Sequence, residues 1–170
     1  IENNVDSSLV AASLGNSINA GNGDDTIYSF HTYNPTLLGG EGADSIVVSH
    51  GHLTYIDAGE GNDTIIGRAV DSLEGSNWGM GGHATVLGGA GDDYIDTGYS
   101  NNSSIDGGEG NDTIIASGKS STIDGGAGEN LIRVTSLVAD TGEYIALSGN
   151  TTVEGFKTGF GDGTDTIYID

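Results

Sequence analysis

Five aspartates, Asp25, Asp44, Asp63, Asp93 and Asp112, each stand sixth in a glycine turn, and Asn130 holds the sixth place in one more. The turns read AGNGDD from Ala20, GGEGAD from Gly39, AGEGND from Ala58, GGAGDD from Gly88, GGEGND from Gly107 and GGAGEN from Gly125. Their second glycines, Gly21, Gly40, Gly59, Gly89, Gly108 and Gly126, are separated by 19, 19, 30, 19 and 18 residues. Stacked in register, these repeats bring the carboxylates to the strand spacing of ~4.8 Å. Two like charges there repel by ~1 kcal/mol in water, and by more in a partly dry turn. A divalent cation between successive turns reverses that sign. Carboxylates and backbone carbonyls are hard oxygen donors, which suit Ca²⁺ and its ~6–8 ligands. The glycines let the turn curl inward and aim carbonyls at an ion.

The rest of the repeat supplies the elements that would hold such turns. Each glycine turn leads into an aliphatic residue: Ile27, Ile46, Ile65, Ile95, Ile114 and Ile132. Three residues before each second glycine stands another: Ile18, Leu37, Ile56, Val86, Ile105 and Ile123. Two short strands per coil would place these in two facing columns. Ser17, Thr36, Tyr55, Thr85, Ser104 and Thr122 then point outward on one face, and Thr26, Ser45, Thr64, Tyr94 and Thr113 on the other. A period of 18–19 residues is too short for a helix pair and fits one coil of a solenoid. The core is thin. Two aliphatic side chains at ~1.5–3 kcal/mol each do not offset ~1–2 kcal/mol of backbone entropy for every residue of a coil.

Composition narrows the partners. The 170 residues include 31 Gly, 1 Pro and no Cys, and 4 Lys plus Arg against 25 Asp plus Glu give a formal charge of -21. Nucleic acid and anionic membranes carry the same sign and are excluded as partners. No stretch approaches the ~20 apolar residues of a membrane span, so membrane insertion is not expected. The chain begins at Ile1 rather than Met and shows no signal peptide, which reads as a segment of something longer.

The pattern G-G-x-G-x-D-x-U-x, carried by five of the six turns with Ala20 and Ala58 replacing the first glycine, resembles the RTX (repeats-in-toxin) calcium-binding nonapeptide. The resemblance covers roughly residues 15–133. It implies an all-β fold, a right-handed parallel β-roll (β-solenoid) of ~18–19-residue coils with Ca²⁺ between consecutive turns. It implies as ligands the carboxylates of Asp25, Asp44, Asp63, Asp93 and Asp112. Carbonyls of the turn glycines would complete each shell: Gly21 and Gly23, Gly40 and Gly42, Gly59 and Gly61, Gly89 and Gly91, and Gly108 and Gly110. Asp165, in a later glycine turn, is a further candidate. The opposite turns (ASLGNS, HTYNPT, HGHLTY, GGHATV, YSNNSS, SGKSST) lack the signature, so one column of about four or five ions is expected. Asn130 should weaken the last gap. The β-roll is expected over residues 1–134, with an inserted loop at about 68–82. Irregular coils or a cap over 135–170 should continue it.

Other residues suit other chemistry. His50 and His52, joined by His31, have the two-apart spacing of a Zn²⁺ or Cu²⁺ pair, but nothing compels a third ligand, and a polar turn is the plainer reading. Trp78 in the insert suits sugar stacking or an edge cover. The outward Ser/Thr rows suit an ice-binding face, though Tyr55 and Tyr94 interrupt them. Val47, Ile66 and Ile115 are apolar at outward positions and suit lateral contact with another chain. No nucleophile elbow and no phosphate-loop ending is present, so no enzyme is expected. The resulting expectation is a calcium-folded structural module, a spacer or assembly element of a secreted or cell-surface bacterial protein such as an adhesin, surface layer or filament. Homotypic head-to-tail or lateral assembly follows from that reading. A carbohydrate-binding module that takes a glycan is the alternative, and an ice-binding solenoid a minor one.

Overall fold

The computed structural model describes residues 8–11, 15–67, 80–117 and 121–136, together with the strands Tyr144–Leu147, Thr152–Glu154 and Thr166–Ile169. Among these residues there is no helix. Successive strands alternate between two sheets of eight strands each, and every pairing joins a strand in parallel to the strand after next. This is a parallel β-solenoid with a coil of about 19 residues. Thr152–Glu154 extends one sheet, and Tyr144–Leu147 and Thr166–Ile169 extend the other.

The register follows the repeat. Ile27, Ile46, Ile65, Ile95, Ile114 and Ile132 lie directly over one another, and all are fully buried. Ile18, Leu37, Ile56, Val86, Ile105 and Ile123 form the facing column. A parallel in-register stack places equal positions of the repeat on top of each other, so a periodic sequence becomes a set of columns. A third inward column, not evident from the sequence, runs beside the isoleucines. It contains Ala11, Ser29, Val48, Gly67, Thr97, Ala116 and Val134. Tyr94–Tyr99 carries one residue more than its partner Thr113–Ser117 before their register resumes. Gly98 sits at this irregularity with φ 56°, its N–H donating to Asp96 Oδ1 at 2.9 Å.

The inserted segment leaves the stack intact. Tyr55, Ile56 and Asp57 pair with Thr85, Val86 and Leu87, and Ile65 pairs with Ile95, across the 30-residue interval. Met80, Gly81 and Gly82, inside the stretch expected as loop, belong to the coil. Met80 is fully buried and packs where Gly67 has no side chain: a Cβ on Gly67 would come within 2.9 Å of Met80 Cγ. A flexible thioether suits such an irregular gap.

The far edge of the solenoid, opposite the glycine turns, is closed by neutral groups. Ser103 Oγ accepts the N–H of Ala84 at 3.1 Å, and Ser121 Oγ accepts that of Ser103 at 3.2 Å. Thr54 holds the equivalent place two coils before Ser103. Its hydroxyl is buried without a partner. The reason is chemical: Pro35 lies over it and has no N–H to donate. The tight turns here use left-handed residues that carry side chains, among them His31, His50, Leu53 and His83.

Candidate metal centre

Strand alternation turns the sixth turn residue inward, between an exposed turn and an outward Thr, Ser or Tyr. Asp25, Asp44, Asp63, Asp93, Asp112 and Asn130 are therefore all buried, at 1–3% exposure. They form one continuous ladder. The N–H of Asp25 donates to Asp44 Oδ1 (2.8 Å), that of Asp44 to Asp63 Oδ1 (2.7 Å) and that of Asp63 to Asp93 Oδ1 (2.8 Å). Asp93 N–H continues to Asp112 Oδ1 (2.9 Å), and Asp112 N–H to Asn130 Oδ1 (2.8 Å). The bond from Asp63 to Asp93 spans the insert as well as the others span a plain coil.

One oxygen of Asp44, Asp63, Asp93 and Asp112 is thus used and the other is not, while at Asp25, which opens the ladder, neither oxygen has a partner. The Oδ2 atoms of Asp25, Asp44, Asp63, Asp93 and Asp112 are buried without a hydrogen-bond partner. That raises the free energy of the charged form. Burial pushes Asp63 up to about 7, the N–H of Asp44 pulls it back, and the charges of Asp93 and Asp44 push it further. Asp44 and Asp93 rise to about 6, and Asp112 also rises, each mainly through burial. Among the described residues no three His, Cys, Asp or Glu side chains converge on a point that would hold a metal. A cation in this ladder would take most of its shell from backbone carbonyls.

The turns provide them. Above the free Oδ2 atoms the first-position glycines keep oxygens of two coils close together. A Cβ on Gly107 would lie 2.5 Å from Asp112 Oδ2 and 2.6 Å from the carbonyl oxygen of Gly125 in the next coil. At Gly88 the two oxygens are Asp93 Oδ2 and the Gly107 carbonyl, and at Gly39 they are Asp44 Oδ2 and the Ala58 carbonyl. The second and fourth glycines stack with equal closeness. The carbonyls of Gly21 and Gly23 point at the α-carbons of Gly40 and Gly42, and this repeats through Gly59 and Gly61, Gly89 and Gly91, and Gly108 and Gly110. Asn130 shows what the carboxylates lack. Its Oδ1 keeps the ladder bond, while its Nδ2 donates to the Gly126 carbonyl at 3.2 Å. In the aspartate coils that place is taken by a second acceptor, so a positive centre fits where the amide N–H stands in the last coil. An all-oxygen, anionic donor set of this kind fits Ca²⁺.

A second ladder escaped the sequence reading. The fifth turn residue accepts the N–H of its counterpart in the following coil: Asp24 from Ala43 (2.8 Å), Asn62 from Asp92 (2.9 Å), Asp92 from Asn111 (2.7 Å) and Asn111 from Glu129 (2.9 Å). The short Asp/Asn side chain there was the available signal. The two ladders run in opposite senses along the stack, so each turn is tied to both neighbours.

Two of the alternative readings fall away. His50 and His52 do not share a strand. His50 stacks on His31 (centroids 4.5 Å), while His52 lies against Tyr33 and His83, because the chain turns at His50, which is itself left-handed at φ 53°. Val47, outward by register, is 8% exposed and lies between Tyr28 and Ile66 in its column, so it is no part of an exposed apolar patch. The far edge carries buried hydroxyls, as expected of polar turns that lack the aspartate signature. Asp165 and Trp78 lie outside the described residues.

The family model for the RTX calcium-binding nonapeptide repeat matches in four copies, over residues 13–29, 55–75, 78–103 and 106–134, together more than half of the chain. No curated protein and no solved structure matches it. The matches pass over residues 30–54, yet the turn from Gly39 to Asp44 makes the same ladder bonds as its neighbours. With the signature repeated in sequence and its turns superimposed in space, the chain belongs to the RTX calcium-binding nonapeptide repeat family and is a structural calcium-binding repeat module.

Proposed function

We propose that calcium drives the folding of this chain. The folded rod then serves as a spacer or assembly element of a large secreted or cell-surface bacterial protein, of the adhesin, surface-layer or filament kind. The observation that carries the reading is the column of unpartnered, buried carboxylate oxygens at Asp25, Asp44, Asp63, Asp93 and Asp112 in a chain of net charge -21. Bound calcium would supply the positive charge that this column lacks. The aspartate Oδ2 atoms and the turn carbonyls would hold it, and the role of the metal is structural. Without it, burying neighbouring like charges opposes a thin core, and the chain should be largely unfolded at neutral pH. RTX repeats occur in secreted bacterial proteins, and no helix among the described residues is long and apolar enough to cross a membrane. Millimolar extracellular calcium would therefore act as the folding signal outside the cell.

Far-ultraviolet circular dichroism of the EDTA-treated protein at pH 7.5, titrated with Ca²⁺ and separately with Mg²⁺, tests the folding step. A coil-to-strand transition specific to Ca²⁺ is expected. A complete β spectrum in EDTA would overturn it. Sedimentation velocity with and without Ca²⁺ tests the assembly step, which predicts calcium-dependent oligomers.

A further inference from the structure

We infer that the ion ladder is interrupted at two of its five aspartate coils, because Ala20 and Ala58 place a methyl group between oxygens that the other coils leave facing each other. The inference rests on the calcium reading above and refines it. The first turn position forms its own column: Ala20, Gly39, Ala58, Gly88, Gly107 and Gly125. At Gly39, Gly88 and Gly107 the space where a Cβ would sit is bordered by Oδ2 of the same coil's aspartate and by the first-position carbonyl of the next coil. One oxygen is carried by a carboxylate and the other by backbone, and each Oδ2 is buried and without a partner. A hard cation needs such oxygens to converge within ~2.3–2.6 Å of it.

A methyl carbon does not tolerate oxygens at the 2.5 and 2.6 Å found around the Cβ position of Gly107. In the coils of Ala20 and Ala58, the equivalent pairs are Asp25 Oδ2 with the Gly39 carbonyl and Asp63 Oδ2 with the Gly88 carbonyl. Both alanines are fully buried and belong to the hydrophobic core. Their methyls must hold at least one oxygen of each pair away from the common point. Asp44, Asp93 and Asp112 are then the loading carboxylates. Asp25 and Asp63 keep their place in the hydrogen-bond ladder and take no ion. The loaded coils comprise one isolated coil and one adjacent pair. The same substitution that completes the core in a coil removes its ion.

The test counts bound calcium per chain at saturation, by equilibrium dialysis with elemental analysis and by native mass spectrometry. The wild type is compared with Ala20→Gly, Ala58→Gly, their double variant and Gly107→Ala. Each alanine-to-glycine change is expected to add one ion and the double variant two, while Gly107→Ala loses one. Reading differences from wild type removes any contribution from residues beyond these coils. Should Gly107→Ala fail to fold, the two glycine variants decide alone. An unchanged count in both of them overturns the interrupted ladder while leaving the calcium reading intact. No bound calcium in the wild type would instead remove the calcium reading itself.

Discussion

The metal-free protein should be more stable in acid than at neutral pH, which is unusual for a chain so rich in carboxylates. Asp44 and Asp93 are pushed up to about 6 and Asp63 to about 7, from an ordinary 3.8. A carboxyl raised on folding binds its proton more tightly in the folded state. Its contribution is therefore fully present below the unfolded value and is lost as the pH climbs through the folded one. Between pH 5 and pH 8, Asp44 and Asp93 each withdraw on the order of 1 kcal/mol and Asp63 on the order of 3 kcal/mol, together on the order of 5 kcal/mol. That is the size of a whole small domain's stability. The assay is urea unfolding followed by circular dichroism in EDTA at pH 5, 6, 7 and 8, a range that stays above the pI of about 4.1. The midpoint should fall from pH 5 to pH 6, and the folded baseline should be lost near pH 7, where the metal-free chain is largely unfolded. The control is a triple variant with Asp44→Asn, Asp63→Asn and Asp93→Asn. It keeps the ladder acceptor, as Asn130 does with its 2.8 Å bond, and removes three of the four raised carboxyls of the ladder, leaving Asp112. Its profile should be much flatter. If wild type and triple variant lose stability in parallel, the slope comes from the general repulsion of a -21 chain, and the assignment to the ladder is wrong. Calcium should reverse the slope in the wild type, because only ionised carboxylates bind it.

Asp93→Ala should be worse than Asp93→Asn by about 1–3 kcal/mol in EDTA at pH 5, since only alanine leaves the buried Asp63 N–H without an acceptor; urea midpoints of the two variants check this. Met80→Ala, which empties a fully buried position beside Gly67, should cost about 2–5 kcal/mol in saturating Ca²⁺, read by thermal unfolding. Leu53→Gly should stabilise the calcium-bound protein by about 1 kcal/mol, seen as a rise in Tm of about 2–4 °C, because Leu53 is held at φ 54° on a partly exposed turn. A fall in Tm would show that the Leu53 side chain contributes more by contact than its backbone costs.

Much of this architecture is legible in the letters, for a physical reason. A parallel in-register stack converts sequence period directly into spatial columns, so the isoleucines and the aspartates had to align once the repeat was recognised. The 30-residue interval between Gly59 and Gly89 was readable as a bulge, because only the coil ends have to meet the register. The uses of the side chains were not legible. Nothing in the repeat says that Oδ1 of Asp44, Asp63, Asp93 and Asp112 is spent on the backbone of the preceding coil while Oδ2 is left bare. Both atoms belong to the same letter, and only the distance between coils separates them. The same distance makes the fifth-position Asp and Asn into a reverse ladder. It also leaves Thr54 without a donor beneath Pro35, and turns the difference between Gly39 and Ala58 into a question of which oxygens can meet. His50 paired with His31 rather than His52, and Met80 entered the core, because far-edge turns follow no strict repeat and their side chains settle by local packing. Composition and period by themselves determined the stack, its acidic edge and its affinity for a hard cation. The tertiary structure decided which oxygen of each carboxylate remains available, since that depends on contacts between coils some 19 residues apart in the chain.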